Sequence, residues 1–120
     1  MGMKYGQGRY YGTRGSIIQT YFKVSTKREA KAMIPLLPKE VQASAKDFIN
    51  RGSNKYDGFS ASEDTSGNTI LIREVPGIVP GSRAIYIKVI NKDGKSRVYK
   101  ETYDQHGNLV HSKEKGGSSK

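Results

Sequence analysis

The chain has 120 residues, of which 34% are apolar, and this length predicts a single domain with one core. Lys and Arg total 21 against 11 Asp and Glu, which gives a formal net charge of +10. Such an excess destabilises a fold by self-repulsion, so it favours a polyanionic partner: nucleic acid first, an anionic membrane surface second. A merely soluble basic protein is the alternative. The absence of cysteine excludes disulfides, cysteine-based zinc sites and thiol catalysis.

The chain divides into three segments of different composition. Residues 1–15 are rich in Gly, Tyr and Arg without a hydrophobic period, which indicates a flexible lead-in or the remnant of a linker. They lack the apolar run of a signal peptide, and no apolar stretch of the chain approaches the length needed to span a bilayer. Residues 16–115 form the predicted single domain, and 116–120 a disordered tail.

The first half of the domain contains helix signals. Residues 16–24 are apolar and β-branched and could form a first strand. Thr26 followed three residues later by Glu29 predicts a capped helix start, and Pro35 must end or kink that helix. Pro38 suits the first turn of a second helix. The apolar face of that second helix comprises Val41, Ala45, Phe48 and Ile49.

The second half has the alternating pattern of strands. Residues 51–68 are interpreted as a polar loop, and 91–94 and 104–108 as hairpin turns because Asn or Asp with Gly supplies positive φ. The four predicted strands cover residues 69–75, 84–90, 96–103 and 109–113. The expected fold class is α+β, with N-terminal helices packed on a four-stranded antiparallel β-meander.

Positive charge is concentrated at the two ends of the chain rather than in its middle. Residues 1–34 carry seven cations and one acid, 35–68 four and five, and 69–120 ten and five. The arm and the predicted sheet are therefore basic, whereas the middle is not. A basic sheet surface suits a protein that tracks a nucleic-acid backbone.

Two histidines could move a proton near neutral pH. His106 falls in a turn where any polar residue would serve, and we interpret it as structural. His111 lies within a short strand between Val110 and Ser112. The alternative interpretation is that His111 is a partly exposed strand residue with no functional role. The chain has no P-loop, no HExxH and no regular calcium-site spacing.

Strand parity groups polar residues around His111. If both hairpins have an even number of turn residues, one face carries Val98, Lys100, Thr102, Leu109, His111 and Lys113, together with Ile85, Ile87 and Val89. The other face then carries Tyr86, Lys88, Arg97, Tyr99, Glu101, Tyr103 and Val110. A single bulge would exchange Lys100 for Glu101 and Tyr103. The cluster could hold a scissile phosphate, unless its lysines only keep the sheet soluble.

Residues 77–115 resemble the C-terminal end of bacterial polymorphic toxins of the contact-dependent or LXG kind. The recurring features are Gly81-Ser82-Arg83-Ala84, Asp93-Gly94, Lys100-Glu101-Thr102-Tyr103-Asp104, Gly107-Asn108 and His111-Ser112-Lys113-Glu114-Lys115. The resemblance covers about a third of the chain and implies a nuclease of the barnase-like (BECR) group. It implies RNA cleavage without a metal, and neutralisation by a cognate immunity protein. The positions carried over are Lys100, Thr102, Tyr103, His111 and Lys113, although the chain lacks the Glu–Arg–His trio of barnase itself.

The expected function is a nuclease toxin domain used in interbacterial competition, with RNA favoured over DNA and no cofactor. The predicted catalytic residues are His111 as acid or base, Lys100 and Lys113 as charge stabilisers, and Thr102 as a donor. The predicted substrate-binding residues are Lys88, Arg83, Tyr103 and Lys115. We expect a monomer delivered within a larger protein, acting in the cytoplasm of the target bacterium and bound by an acidic immunity protein. The alternatives are a non-catalytic nucleic-acid-binding module and a DNA-cleaving toxin.

Overall fold

The strands form one antiparallel sheet in which neighbours in sequence are also neighbours in space. The computed structural model describes residues 16–51 and 58–118. Two short helices and a 3₁₀ turn lie between the first and second strands. The elements are β1 (Ile17–Val24), α1 (Lys27–Ala32), the 3₁₀ turn (Ile34–Leu36), α2 (Lys39–Arg51), β2 (Gly58–Asp64), β3 (Thr69–Pro76), β4 (Arg83–Ile90), β5 (Ser96–Tyr103) and β6 (Leu109–Ser118).

The expected arrangement of N-terminal helices on a four-stranded meander is wrong. The described sheet has six strands, and the helices are inserted after β1 rather than placed before the sheet. The additional strand β2 was hidden within the predicted polar loop, because its sequence GFSASED contains few strand-forming residues. It nevertheless alternates, with Phe59 and Ala61 buried and Ser60 and Ser62 half-buried. The predicted lead-in 1–15 lies outside the described residues, and β6 runs to Ser118, into the predicted tail.

The helix boundaries follow the local signals in the sequence. Thr26 accepts a hydrogen bond from the Glu29 N–H, and the Glu29 carboxylate accepts from the Ser25 N–H, so the predicted cap is confirmed. Helix α1 ends at Ala32, before the 3₁₀ turn that contains Pro35. The buried face of α2 packs on the sheet, with Phe48 against Phe59 of β2 at 5.9 Å between ring centroids.

Three hairpin turns are built in the same way. A first Asp or Asn side chain accepts hydrogen bonds from the backbone N–H groups two and four residues later, at Asp64, Asn91 and Asp104. The fourth residue of each turn is a glycine with positive φ, at 83°, 85° and 83° for Gly67, Gly94 and Gly107. Five residues therefore separate the last paired residues at each turn, and not an even number: the closing pairs are Glu63–Thr69, Ile90–Ser96 and Tyr103–Leu109.

The two faces of the sheet differ in what lies on them. The helix face, on which α1 and α2 pack, contributes Phe22, Phe59, Ala61 and Leu71 to one buried cluster. The opposite face carries a second cluster of Ile70, Ile85, Ile87, Tyr99 and Tyr103. In the part of the chain that the structure describes, no helix is long and apolar enough to cross a membrane.

Candidate nucleic-acid interface

The register of the last two strands brings the four predicted catalytic residues together. Thr102 of β5 pairs directly with His111 of β6, and Lys100 pairs directly with Lys113. Directly paired residues in an antiparallel sheet have Cα atoms about 5 Å apart and project to the same face. We call Lys100, Thr102, His111 and Lys113 the β5–β6 cluster. It lies on the helix face of the sheet.

A bulge in β6 makes this grouping possible. The turn 104–108 has five residues, and a regular ladder continued from Tyr103–Leu109 would place His111 opposite Glu101 and on the other face. Val110 is instead an extra residue, and the pairing resumes with His111 opposite Thr102. The exposed side chain of Val110 is the visible sign of this irregularity. The odd turn and the bulge together restore the even parity that the cluster requires.

The predicted neighbours from β4 were wrong. The turn that begins at Asn91 includes Lys95, so Ile90 pairs with Ser96, and Lys88 pairs with Val98. Tyr86 and Lys88 therefore share the helix face with the cluster. The residues expected there, which are Ile85, Ile87 and Val89, lie on the opposite face, and so does Leu109 beside Tyr103.

A row of cationic and aromatic side chains crosses the helix face. Arg73, Tyr86, Lys100 and Lys113 are paired in sequence from β3 to β6. The Arg73 guanidinium lies 4.5 Å from the centroids of both the Tyr86 and Phe48 rings, and it donates to the Phe48 carbonyl of α2. The Lys100 ammonium lies 5.5 Å from the Tyr86 centroid. Cation–π contacts of this kind hold the Arg and Lys side chains over the sheet.

The pleat places the acids of β4 to β6 on the face opposite the cluster. On β4 to β6 the only acids are Glu101 and Glu114, and both point to the opposite face, since they pair with Ile85 and Tyr99. The cations of that face are neutralised, with Arg83 on Glu74 and Arg97 on Glu114. Among the described residues, Lys100 and Lys113 have no ion-pair partner. The helix face thus concentrates uncompensated positive charge over β5 and β6.

Lys88 extends this charge towards α2. Only 8% of Lys88 is exposed, and burial lowers the pKa of its ammonium, while Asp47 of α2 opposes that effect. Arg51 and Arg73 are close enough to lower the Lys88 pKa further. Lys88 lies on the same face as the β5–β6 cluster, opposite Val98 of β5.

The other predicted substrate-binding residues are dispersed. Arg83 and Tyr103 pair with each other on the face opposite the cluster, so neither can share a ligand with His111. Lys115 is exposed and lies in a second irregularity of β6, between the pairs of Glu114 and Gly116. His106 is exposed in its turn, where its N–H donates to Asp104, in agreement with a structural role.

Glu101 is an unusual carboxyl that the sequence did not identify. It is fully buried, with 0% exposed, and it accepts a hydrogen bond from the Tyr103 hydroxyl at 3.0 Å. Its second oxygen has no hydrogen-bond partner among the described residues. Burial raises the pKa of this carboxyl, and the Tyr103 hydrogen bond offsets that only in part. Its complete burial separates it from any substrate bound at the surface.

The loop between β3 and β4 lies at the His111 end of the sheet and is held by hydrogen bonds of its own. The Gly77 N–H donates to the Ser82 carbonyl, and the Ser82 N–H and hydroxyl both donate to the Val79 carbonyl. The side chain of Ile78 is fully exposed and that of Val79 about half exposed. An ordered loop that presents aliphatic side chains to solvent is suited to contact with another molecule.

Metal-binding side chains are not grouped in the described part of the chain, where no three His, Asp or Glu residues could share an ion.

The chain has no detected similarity to a known protein. No protein-family model, curated protein or solved structure matches this chain.

Proposed function

We propose that the protein cleaves RNA at the β5–β6 cluster. Like charges placed directly opposite each other across two strands destabilise a sheet, by roughly 0.2–1 kcal/mol. The Lys100–Lys113 pair is such an arrangement, and its cost is offset when a phosphate binds between the two ammonium groups. This pair, beside a histidine and a hydroxyl, is the observation that carries the proposal.

The chemistry would proceed by attack of a ribose 2′-hydroxyl on the adjacent phosphorus. The bond from phosphorus to the 5′-oxygen breaks, and the products are a 2′,3′-cyclic phosphate and a 5′-hydroxyl. One proton leaves the 2′-oxygen and one reaches the 5′-oxygen; His111 transfers one of them and water the other. Lys100 and Lys113 stabilise the negative charge on the non-bridging oxygens, and Thr102 donates a hydrogen bond to one of them.

A chimeric oligonucleotide tests this mechanism. A labelled DNA strand with a single ribonucleotide should be cut only after that ribonucleotide, whereas the all-DNA strand should stay intact. The reaction should proceed equally with and without EDTA. Cutting of the all-DNA strand, or complete loss of activity in EDTA, would show that the 2′-hydroxyl mechanism is wrong.

The two histidines provide matched variants. His111→Ala should remove cleavage while binding of the strand is retained, and His106→Ala should cleave like the parent because it changes only an exposed turn position. Lys100→Ala should lower the cleavage rate by about 10²–10³-fold if it stabilises the transition state. Equal rates for His111→Ala and the parent would remove the proton-transfer role.

A delivered toxin and an acidic inhibitor complete the proposal. The resemblance of residues 77–115 suggests delivery within a larger protein and action in the cytoplasm of a target bacterium. An acidic immunity protein would complement the uncompensated lysines, and Ile78 and Val79 offer it an apolar anchor at the same end of the sheet as His111. Such a partner would cover the site rather than reshape it.

The second candidate is a nucleic-acid-binding module without catalysis. The same unpaired lysines favour it, because they would bind phosphates whether or not a proton is transferred. Expression in a bacterial host separates the two functions. A nuclease should arrest growth, and His111→Ala should relieve the arrest; a binding module should allow growth in both forms.

A further inference from the structure

We infer that the nucleic acid bound at the β5–β6 cluster is single-stranded and that its backbone runs along β6. This inference rests on the proposed function only in placing nucleic acid on the helix face. It concerns the form of the ligand and the path it takes, which are set by the strand geometry around the cluster.

Three exposed polar side chains follow one another along β6. His111 and Lys113 occupy alternate positions on the helix face, and Lys115 lies in the irregularity between the pairs of Glu114 and Gly116. Alternate residues of an antiparallel strand are about 7 Å apart. This distance is comparable to the separation of successive phosphates along an extended single strand. Two consecutive phosphates can therefore meet His111 and Lys113, and the exposed Lys115 follows them along the strand.

The helix layer limits the width of this surface. The C-terminal end of α2 reaches β3 and β4, where the Phe48 carbonyl meets Arg73 and where Asp47 and Arg51 influence Lys88. The two remaining strands give a shelf about 10 Å wide, since neighbouring strands lie about 4.8 Å apart. The helix beside it is a step about 10 Å high. A single strand fits on this shelf, whereas a duplex that contacts Lys100 would collide with the step.

The charges on the shelf suit a flexible strand more than a rigid one. Lys100 is held over Tyr86 and lies inside the line of His111 and Lys113, at the second strand from the edge. A single strand can bend inward to place one phosphate between Lys100 and Lys113 while its neighbours stay on β6. Duplex geometry fixes the phosphate positions and does not allow this inward displacement.

Fluorescence anisotropy with an uncleavable probe tests the inference. A labelled 12-nucleotide 2′-O-methyl RNA lacks the attacking hydroxyl, and its blunt duplex with a complementary strand is the comparison. We expect the single strand to bind at least about tenfold more tightly at equal salt, although the higher charge density of a duplex would favour it in purely electrostatic binding. Equal or tighter binding of the duplex would overturn the inference.

Salt dependence locates the path of the strand. Each phosphate contact to a single strand contributes about 0.7 to the slope of log affinity against log salt. Lys113→Ala and Lys115→Ala should each lower the slope by about that amount, whereas Lys39→Ala and Lys46→Ala, at exposed positions of α2, should leave it unchanged. An unchanged slope in both β6 variants would place the strand elsewhere.

The results separate this inference from the proposed function. Preferential single-strand binding without RNA cleavage by the parent protein retains the inference and removes the nuclease. Cleavage of RNA together with equal affinity for the duplex retains the nuclease and removes the inference. Circular dichroism of each variant confirms that its fold is intact before affinities are compared.

Discussion

Glu101→Gln should stabilise the folded protein at neutral pH. The carboxyl is completely buried, and one of its oxygens has no hydrogen-bond partner among the described residues. Leaving a buried polar group unpaired costs about 1–3 kcal/mol, and more when it is charged. Glutamine has nearly the same shape and can accept the Tyr103 hydrogen bond; its amide N–H groups would be unpaired like the oxygen they replace, but it carries no charge. We therefore expect its free energy of unfolding at pH 7.5 to exceed that of the parent by about 1–2 kcal/mol.

The stability gained by Glu101→Gln over the parent should increase with pH. Burial raises the pKa of Glu101 in the folded state above its ordinary value, so the folded state holds this proton more tightly than the unfolded state. In the parent, the stability contributed by the protonated carboxyl is fully present below the ordinary pKa of glutamate. It is lost as pH rises through the raised pKa of Glu101 in the folded state. The glutamine variant has no such loss. The difference between them should therefore approach zero in acid and grow towards neutral pH.

Urea unfolding at several pH values measures this difference, with circular dichroism as the signal because the chain has no tryptophan. Glu40→Gln is the control, since it makes the same chemical change at an exposed position of α2. It should not raise the free energy of unfolding at pH 7.5, because Glu40 lies in the first turn of α2, where a carboxylate favours the helix. A glutamine variant at position 101 whose advantage is absent at pH 7.5, or is constant with pH, would refute the reasoning.

Three further substitutions probe local features of the fold by urea unfolding. Gly107→Ala should lower the free energy of unfolding by about 1 kcal/mol, because Gly107 has φ of 83°. An added Cβ would meet nothing within 4 Å, so the loss is conformational. Gly107→Asn should lose less stability, and equal losses would contradict this. Thr26→Ala should cost about 1 kcal/mol through loss of its cap, and an unchanged midpoint would argue against that contact. Lys113→Gln should stabilise the sheet by a few tenths of a kcal/mol at low salt while weakening RNA binding, and salt should reduce the gain; destabilisation would show that the Lys100 pairing is not repulsive.

The parts of the fold that could be predicted are those set by local chemistry. The cap at Thr26 and the turn glycines Gly94 and Gly107 each act within five residues, so the sequence shows them directly. The missed turn at Asp64 has the same pattern, with Gly67 in the fourth position. Its similarity to the turn at Asp104 was the signal that could have revealed β2.

The strand register could be predicted only in part. A positive-φ glycine allows a turn to close with five residues rather than four, and this one residue exchanges the two faces of β4 relative to β5. The four residues of the β5–β6 cluster still share one face, because the bulge at Val110 adds one residue to β6 and so offsets the odd length of the turn. Nothing in the residues around Val110 specifies a bulge, since it arises from how β6 lies against β5.

The remaining features depend on tertiary placement. Glu101 is adjacent to Thr102, and only the pleat decides that the acid is buried while the hydroxyl faces the helices. Arg73 was not a candidate because its role depends on Phe48 of α2, 25 residues earlier in the chain. Such contacts leave no local pattern that sequence spacing could reveal.

The most direct test of the nucleic-acid surface is NMR of the protein with ¹³C-dimethylated lysines, a modification that keeps the positive charge. During titration with the uncleavable single strand, the signals of Lys100 and Lys113 should shift together and saturate, while those of Lys39 and Lys46 on α2 should remain in place. Shifts of similar size at all lysines, or none at Lys100 and Lys113 in dilute salt, would contradict binding at the β5–β6 cluster.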